Sequence, residues 1–285
     1  KAYQHWGPDC VRRLNGMFAL ALFDQPKKRL FIARDHFGIK PFYYVCKDGR
    51  LAFASELKSL LVLPGVSRTL DRHALHQYLS FLWVPEPETI FQDVLKLPVG
   101  HYAIFEQGRL RLTRFWDLRF PPADHVFIAS EEELACEIRS RFTEAVRRQM
   151  LSDVPVGAFL SAGMDSSSIV ACMSKVSDRP IHTYTIAFPD EYRRDTTAVD
   201  DAEVAARTAA HFGCIHKSIV VQPNTVELLP KLVWHMDEPV ADPAMITAYL
   251  VNREAKKDVT VLLSGIGGDE VFGGYRKYRA HYLAR

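Results

Sequence analysis

Two short apolar runs in this chain each end in a loop of small residues that carries one aspartate. The runs are Val154–Leu160 and Val259–Leu263, and the loops that follow them are Ser161–Ser168 and Ser264–Glu270. Each run has the length of a buried strand, and the first loop opens a helical run, Ile169–Met173. Backbone N–H groups and the helix dipole make such a strand, loop and helix junction an anion-binding cradle. An aspartate in the cradle predicts a divalent cation between its carboxylate and a phosphate.

Neither loop has the lysine of a Walker-type phosphate loop, because the chain contains no Gly-Lys-Ser or Gly-Lys-Thr. That lysine serves chemistry at the γ-phosphorus. A lysine-free loop of Ser, Gly and Asp predicts instead that pyrophosphate is held as a leaving group while a carboxylate attacks the α-phosphorus, which gives an acyl-adenylate. Either loop alone is also compatible with an ordinary turn. The repetition of the pattern favours the anion site.

The first loop resembles the pyrophosphate-binding loop of N-type ATP pyrophosphatases. Ser264–Tyr275 resembles a motif of glutamine-dependent asparagine synthetases, and Leu151–Gly157 and Asp237–Pro243 are similar to the same family. Four earlier stretches resemble the class II glutamine amidotransferase domain of that family: Asn15–Ala19, Ala33–Tyr44, Ala54–Lys58 and Phe91–His101. The resemblance covers nearly the whole chain, with its motifs in the family's order.

The resemblance and the residue pattern together predict two folds in succession. An α+β part that is rich in antiparallel strands is expected first, as the C-terminal portion of an amidotransferase-like domain at residues 1–118. A linker is expected at 119–129, and an α/β ATP pyrophosphatase domain with a parallel sheet at 130–285. Measured against the family, the chain is expected to begin partway through the amidotransferase domain and to end before a C-terminal helical part.

Local patterns predict the elements of the first part. Asp48-Gly49 and Gln107-Gly108 indicate hairpin turns. A helix is predicted at Arg72–Leu82. The predicted strands are Met17–Phe23, Leu30–Ala33, Phe42–Val45, Leu51–Ala54 and Tyr102–Phe105.

The second part is predicted to begin with a helix over Glu131–Met150, because Ser130 and Glu133 form a capping-box pattern. Its apolar residues repeat at helical spacing, namely Leu134, Ile138, Phe142 and Val146. Strands and helices then alternate, which predicts a parallel sheet with right-handed crossovers and a ligand site outside the C-terminal strand ends. The predicted strands are Val154–Leu160, Ile181–Phe188, His216–Val220 and Val259–Leu263, and the predicted helices are Ser166–Val176, Asp200–Phe212, Thr225–Met236 and Ala244–Lys256.

Site roles follow from the resemblance. Asp165 and Asp269 would hold Mg²⁺ and serve catalysis. Pyrophosphate would be bound by Ser161, Gly163, Ser166 and Ser167, adenosine by Leu160 and Ile186, and the nucleotide also by the backbone of Ser264 and Gly265. Asp237 and Glu238 are equally compatible with a substrate role and with solvated charges at a helix end. Arg34 and Asp35 are similarly compatible with a structural pairing inside the amidotransferase fold.

The chain departs from the family pattern at two functional positions. The family's glutaminase uses an N-terminal cysteine as its nucleophile, whereas this chain begins with Lys1, so the chain as given is expected to lack glutaminase activity. Ile266 stands where characterised asparagine synthetases carry a glutamate that is implicated in forming or using the adenylate. An isoleucine cannot transfer protons, which leaves the carboxylate substrate open.

The function implied by the resemblance is an ATP-dependent ligase that adenylates the side-chain carboxylate of aspartate, releases pyrophosphate and amidates the product with ammonia from glutamine. The expected cofactors are ATP and Mg²⁺. Two alternatives remain open. One is a related amidotransferase or β-lactam synthetase-like enzyme that acts on another carboxylate, and the other is a nucleotide-binding relic without catalysis.

Composition excludes some classes of partner. The formal net charge is +2 without a basic run, which argues against nucleic acid and anionic membranes. The partners that the resemblance implies are ATP, aspartate or another carboxylate, and glutamine or ammonia, and a homodimer is kept open. Five cysteines without a Cys-x-x-Cys pair predict free thiols in a reducing cytoplasm. Cys46 and Cys172 are predicted to be core residues.

Overall fold

The computed structural model describes residues 1–122, 128–189, 201–220, 225–242 and 244–283. The chain divides into two units. The first contains Lys1–His125 and Pro230–Asp242, and the second contains Val126–Leu229 and Pro243–Arg285. Part of the predicted linker, at 123–127, and Asp200, the predicted start of a helix, lie outside the described residues.

The first unit is built mainly from seven strands and three helices in its N-terminal stretch. A 3₁₀ helix at Gly7–Arg13 follows the first helix. The helices are α1 (Ala2–Trp6), α2 (Leu57–Leu60) and α3 (Arg72–Phe81), and the strands are β1 (Ala19–Asp24), β2 (Arg29–Arg34), β3 (Tyr43–Lys47), β4 (Arg50–Ala54), β5 (Leu95–Lys96), β6 (His101–Glu106) and β7 (Arg109–Arg114).

These strands form two antiparallel sheets, with the orders β1-β2-β6-β7 and β4-β3-β5. Every predicted strand is present within two residues of its predicted bounds. Both predicted hairpin turns are confirmed, and each places two successive residues at positive φ, 50° and 68° at Asp48 and Gly49 and 51° and 75° at Gln107 and Gly108. Two positive φ values are what a tight two-residue hairpin requires. The antiparallel character predicted for this part is therefore confirmed.

Strand β2 lies at the centre of the first unit because both of its faces are buried. Phe31 packs with Tyr3, Val11 and Phe115 on one side. Ile32 packs on the other side, with a cluster that includes Phe42, Tyr44 and Leu97. The prediction that Cys46 is a core residue is wrong, since Cys46 lies near the exposed end of β3.

The second unit alternates strands with helices. A 3₁₀ helix at Thr225–Leu228 precedes the helix that leads back into the first unit, so the predicted helix Thr225–Met236 is α-helical only in its second part. In chain order the elements are α4 (Glu131–Gln149), β8 (Val156–Phe159), α5 (Met164–Val176), β9 (His182–Ala187), α6 (Asp201–His211), β10 (Ile215–Val220), α7 (Leu229–Met236), α8 (Ala244–Ala255), β11 (Val261–Leu263), α9 (Gly268–Phe272) and α10 (Arg276–Leu283).

Helix α4 begins with the predicted capping box. The Ser130 hydroxyl accepts a hydrogen bond from the Glu133 N–H at 3.2 Å, and the Glu133 carboxylate accepts one from the Ser130 N–H at 2.9 Å. Only the C-terminal turns of α4 join the core, because Val146 is buried while Leu134 and Ile138 are exposed. The apolar spacing therefore predicted the helix, but it did not predict how much of the helix is buried against the core.

The sheet of the second unit has the order β10-β9-β8-β11, and all of its pairings are parallel. This confirms the α/β class predicted for this part. The core packs Ala158 and Leu160 against Val170 and Met173 of α5, and it includes Cys172, as predicted. Because β8 and β11 are adjacent and parallel, the two aspartate-bearing loops leave the same edge of the sheet side by side.

A cluster of polar side chains connects β9 and β10 to Asp258 in the segment that follows α8. The Asp258 carboxylate accepts hydrogen bonds from the buried Tyr184 hydroxyl at 2.8 Å and from the Lys217 ammonium at 2.5 Å. These two donors, Lys217 foremost, hold the pKa of Asp258 below its ordinary value of 3.8. A lowered pKa means that the folded protein favours the charged carboxylate more than the unfolded chain does.

The pH dependence of stability tests this cluster. The stabilisation by charged Asp258 is complete above about pH 4 and is lost as the pH falls below 3.8. The Asp258→Asn variant should therefore be less stable than the parent at pH 6, and the difference in urea midpoint should shrink as the pH is lowered towards 3. A difference that stays constant across this range would show that the charge of Asp258 is not what stabilises the cluster.

Within the described residues, no helix combines the length and apolar character that a membrane crossing requires.

Candidate functional site

A cleft of about 1840 Å³ opens where β8, β9 and β11 end, and every residue that lines it belongs to the second unit. A volume above the usual 300–1,000 Å³ of small-molecule sites leaves room for more than one ligand. The cleft brings together most of the residues that the sequence predicts for the site: Leu160, Ser161, Gly163, Asp165, Ser166, Ile186, Ser264, Gly265, Ile266 and Asp269. Ser167 is not part of this lining, although it lies in the same loop.

The serines of the first loop bind mainly to one another. The Ser166 hydroxyl accepts a hydrogen bond from the Ser161 N–H at 3.1 Å and lies 2.9 Å from the Ser161 hydroxyl. The Ser167 hydroxyl donates to the Gly163 carbonyl at 2.9 Å. Ser166 is buried. Its hydroxyl therefore holds the shape of the loop, and the N–H groups remain the better candidates for contact with an anion.

Helix α5 begins at this loop without a side-chain cap. Its N-cap residue is Gly163, and no side chain accepts a hydrogen bond from the first turn. The first N–H groups of a helix have no partner within the helix, and the positive end of the dipole lies there. This arrangement presents the first turn of α5 to a phosphate group.

The second loop passes so close to the first that a Cβ atom on either of two glycines would meet atoms of the first loop. A Cβ atom on Gly265 would lie 2.9 Å from the Ser166 nitrogen and 3.0 Å from Asp165 Cβ. A Cβ atom on Gly268 would collide with the Asp165 carboxylate. The two loops therefore meet around Asp165.

Within the part of the chain that the structure describes, the carboxylates of Asp165 and Asp269 accept no hydrogen bond. Asp35 of the first unit is different, because its carboxylate accepts hydrogen bonds from four backbone N–H groups. Mg²⁺ is often held by one or two carboxylates together with substrate phosphates, and the two loops offer this donor set. The described residues contain no group of three or more His, Cys, Asp or Glu that could hold a metal by itself.

Two glycine variants distinguish an effect on ligand binding from an effect on folding stability. Gly268→Ala should leave the free energy of unfolding nearly unchanged, because Gly268 does not need positive φ and the Cβ atom would meet only the Asp165 side chain, whose carboxylate accepts no hydrogen bond within the described residues. It should weaken Mg²⁺-dependent pyrophosphate binding by roughly tenfold or more, because the Asp165 carboxylate must move. Gly157→Ala should do the opposite and destabilise by about 1–3 kcal/mol, since its Cβ atom would lie 2.7 Å from the His182 carbonyl oxygen inside the sheet. Calorimetric titration and urea unfolding measure the two effects. Unchanged pyrophosphate binding in Gly268→Ala would contradict the proposed contact.

Glu270 and Tyr275 form a pair at the cleft that the sequence reasoning missed. The Tyr275 hydroxyl donates to the Glu270 carboxylate at 2.5 Å. This bond holds the pKa of Glu270 below its usual value and raises the pKa of Tyr275 to about 12. Glu270 therefore stays anionic and Tyr275 neutral near pH 7. Both lie within the motif Ser264–Tyr275, so the sequence marked the segment but not the pair.

The remaining walls of the cleft come from β8, β9 and α8. Leu160 is buried, and its N–H donates to the Tyr184 carbonyl at 2.9 Å. Ile186 is half-buried at the end of β9. Helix α8 lines the cleft with a further set that sequence reasoning also missed, Ala244, Thr247, Ala248, Val251 and Asn252. Nothing in the sequence of α8 marks these residues, because an amphipathic helix gives the same pattern when it only packs.

Asp237 and Glu238 belong to the first unit, where their carboxylates are bound by its own residues. Asp237 accepts hydrogen bonds from the Leu57 N–H and the Lys58 ammonium, both at 2.7 Å. Glu238 accepts one from the Ile90 N–H at 3.0 Å and pairs with Lys96 at 2.8 Å. The interpretation as solvated helix-end charges is wrong, because the side chains are only 6% and 8% exposed. Burial raises the pKa of Glu238, while Lys96 counteracts the rise. These contacts favour a structural role over substrate binding.

Arg34 and Asp35 make structural contacts, but the predicted pairing of the two is wrong, because each binds other groups. Arg34 pairs with Glu86 and donates to the carbonyls of Gly38, Lys40 and Leu97. Together with the four N–H groups on Asp35, these bonds hold the loop that follows β2.

Two family models match the chain. One, described as asparagine synthase, matches residues 137–285, and the other, described as a glutamine amidotransferase domain, matches residues 1–116. The first of these covers just over half of the chain. The chain belongs to the asparagine synthase family.

Relatives of this asparagine synthase family member include proteins with different names. "Asparagine synthetase [glutamine-hydrolyzing] 1" of Bacillus subtilis (strain 168) is 40% identical over 97% of this chain and 42% of its own length. "Putative asparagine synthetase [glutamine-hydrolyzing] 2" of Methanocaldococcus jannaschii is 35% identical over 99% of this chain and 54% of its own length. "Amidase chry2" of Gibberella zeae is 30% identical over 99% of this chain and 43% of its own length. The chain thus spans about half the length of these curated relatives.

Proposed function

We propose that the second unit binds MgATP in the cleft, transfers AMP to a carboxylate with release of pyrophosphate, and amidates the acyl-adenylate with ammonia. The observation that carries this proposal is the convergence of two aspartate-bearing loops, without a Walker lysine, beside the uncapped N-terminus of α5. The family match and the naming of two relatives as glutamine-hydrolysing asparagine synthetases support it.

In the first step, a carboxylate oxygen attacks the α-phosphorus and the bond to the bridging oxygen of pyrophosphate breaks. In the second, the ammonia nitrogen attacks the acyl carbon, AMP leaves and nitrogen loses its extra proton. Bound Mg²⁺ would supply charge neutralisation for the phosphates. This chain's residues position the reactants: the first turn of α5 donates N–H groups to pyrophosphate, Leu160 and Ile186 contact adenosine, and Gly265 allows the close approach of the backbone.

The source of ammonia in this proposal is glutamine, because the first unit matches the amidotransferase model. The resemblance to the family makes the side chain of aspartate one candidate carboxylate. A different carboxylate is the second candidate, favoured by the neutral Ile266 in the cleft and by the relative named an amidase. The enzyme is proposed to act in the cytoplasm, where its five unpaired cysteines stay reduced. This proposal also keeps the predicted domain boundaries at residues 118 and 130. It keeps small molecules as the partners, and it includes a homodimer.

The inorganic product of ATP cleavage tests the proposal. This chain, and any longer protein that contains it, should bind MgATP, and the catalytically complete form should release pyrophosphate when a suitable carboxylate is present. Orthophosphate as the sole inorganic product would contradict adenylation. MgATP binding without any product for a broad set of carboxylates would favour a nucleotide-binding relic.

A further inference from the structure

The side chain of Ile266 is 92% exposed although it lines the cleft. Its N–H donates to the Ser264 hydroxyl at 3.2 Å, which fixes the turn that carries it. Two more apolar side chains of the lining are exposed, Met164 at 81% and Phe188 at 52%. Exposed apolar side chains in a concave site provide favourable contact for an apolar ligand group.

The neighbours of Ile266 indicate which part of the reactants it meets. Gly265 packs on the backbone of Asp165 and Ser166, where the phosphates and Mg²⁺ are proposed to bind. Adenosine is assigned to Leu160 and Ile186, at the ends of β8 and β9. A side chain directly after Gly265 is therefore placed near the reacting carboxylate, where it would contact the substituent of the acid rather than the base.

The acidic part of the lining disfavours a second negative charge on that substituent. Asp201 and Glu270 line the same cleft as Asp165 and Asp269, so four carboxyl groups face it. A carboxylate that is moved from water against Ile266 would lose hydration without gaining a partner from that side chain. An aliphatic group of the same shape would not pay this cost of lost hydration.

We propose that Ile266 is a specificity residue that selects carboxylic acids with an aliphatic substituent over acids with a second carboxylate, such as aspartate. This inference rests on the proposed adenylation function, and it names the substrate class of that site. Met164, at the start of α5, is the adaptable second wall of the acyl site, because an unbranched thioether side chain adjusts to different ligand shapes.

Acyl-sulfamoyl adenosines, which mimic the acyl-adenylate, test the inference by binding alone. The matched pair carries a succinyl or a 4-methylpentanoyl group, which differ by a carboxylate in place of an isopropyl group. In calorimetric titrations with Mg²⁺, this chain should bind the 4-methylpentanoyl analogue about tenfold or more tightly than the succinyl analogue. Ile266→Ala should reduce this preference and Ile266→Thr should reduce it further. The control Val271→Ala should retain it, since Val271 is exposed nearby but does not line the cleft.

The outcomes separate this inference from the proposed function. MgATP titration comes first, and a failure to bind MgATP would overturn both. MgATP binding with equal affinity for the two analogues, or tighter binding of the succinyl analogue, would overturn the inference and leave adenylation standing. The inference would also be overturned if Ile266→Ala and Ile266→Thr kept the full preference while circular dichroism showed them to be folded.

Discussion

Replacing Asp165 or Asp269 by asparagine is expected to lower Mg²⁺-dependent pyrophosphate release by about a hundredfold or more while the fold stays intact. Each change is nearly isosteric and removes only the charge. Neither carboxylate accepts a hydrogen bond within the described residues, so no structural contact is lost. The whole effect should therefore fall on the cation and on the phosphates that it neutralises.

Mg²⁺ titrations of both variants, monitored by pyrophosphate binding to this chain and by its release from the complete enzyme, measure the loss. Asp178→Asn is the matched control, because Asp178 follows α5, is exposed and does not line the cleft. The unfolding midpoints of all three variants should agree with the parent. Near-normal activity of both Asp165→Asn and Asp269→Asn at saturating Mg²⁺ would show that these aspartates do not hold the metal.

The sequence predicted the strands, the hairpin turns and the capping box because each depends on neighbouring residues. Asp48 and Gly49 tolerate positive φ, and Ser130 and Glu133 satisfy each other's N–H groups within one turn. Alternating strands and helices allow few topologies, which is why the sequence predicted that both loops lie outside the C-terminal strand ends. The pairing of β8 with β11, which brings the loops side by side, was not predicted.

The features that the sequence did not predict depend on distant residues. Asp237 meets Leu57 and Lys58 across about 180 positions of the chain, and no local pattern specifies such a contact. The chain segment at 230–242 was therefore assigned with the parallel-sheet part, whereas it packs within the first unit. In the loop after β8, the sequence correctly indicated that Ser161 and Ser166 lie at the cleft. It could not show that the Ser166 hydroxyl would be used to bind Ser161.

The contact of Asp237 with Lys58 leads to a prediction of large effect on stability. Asp237 lies at a φ of 64°, so Asp237→Gly removes the carboxylate without adding backbone strain. It leaves the ammonium of Lys58, only 19% exposed, without its most buried partner, and it leaves the N-terminus of α2 uncapped. Because Lys58 keeps Glu56 and the Trp234 carbonyl as partners, the loss of the Asp237 contacts should cost about 1–3 kcal/mol. Glu56→Ala removes the other carboxylate of Lys58, which is 57% exposed, and should cost less than about 1 kcal/mol.

Amide hydrogen exchange gives a readout that is confined to this contact, because the Leu57 N–H is bound by Asp237 itself. Asp237→Gly should abolish protection of that N–H and lower the urea midpoint of the first unit, whereas Glu56→Ala should preserve both. The double variant Asp237→Gly with Lys58→Met should be more stable than the sum of the single effects predicts, since the ammonium that lost its buried partner is removed as well. Equal effects of Asp237→Gly and Glu56→Ala would show that burial does not distinguish the two ion pairs of Lys58.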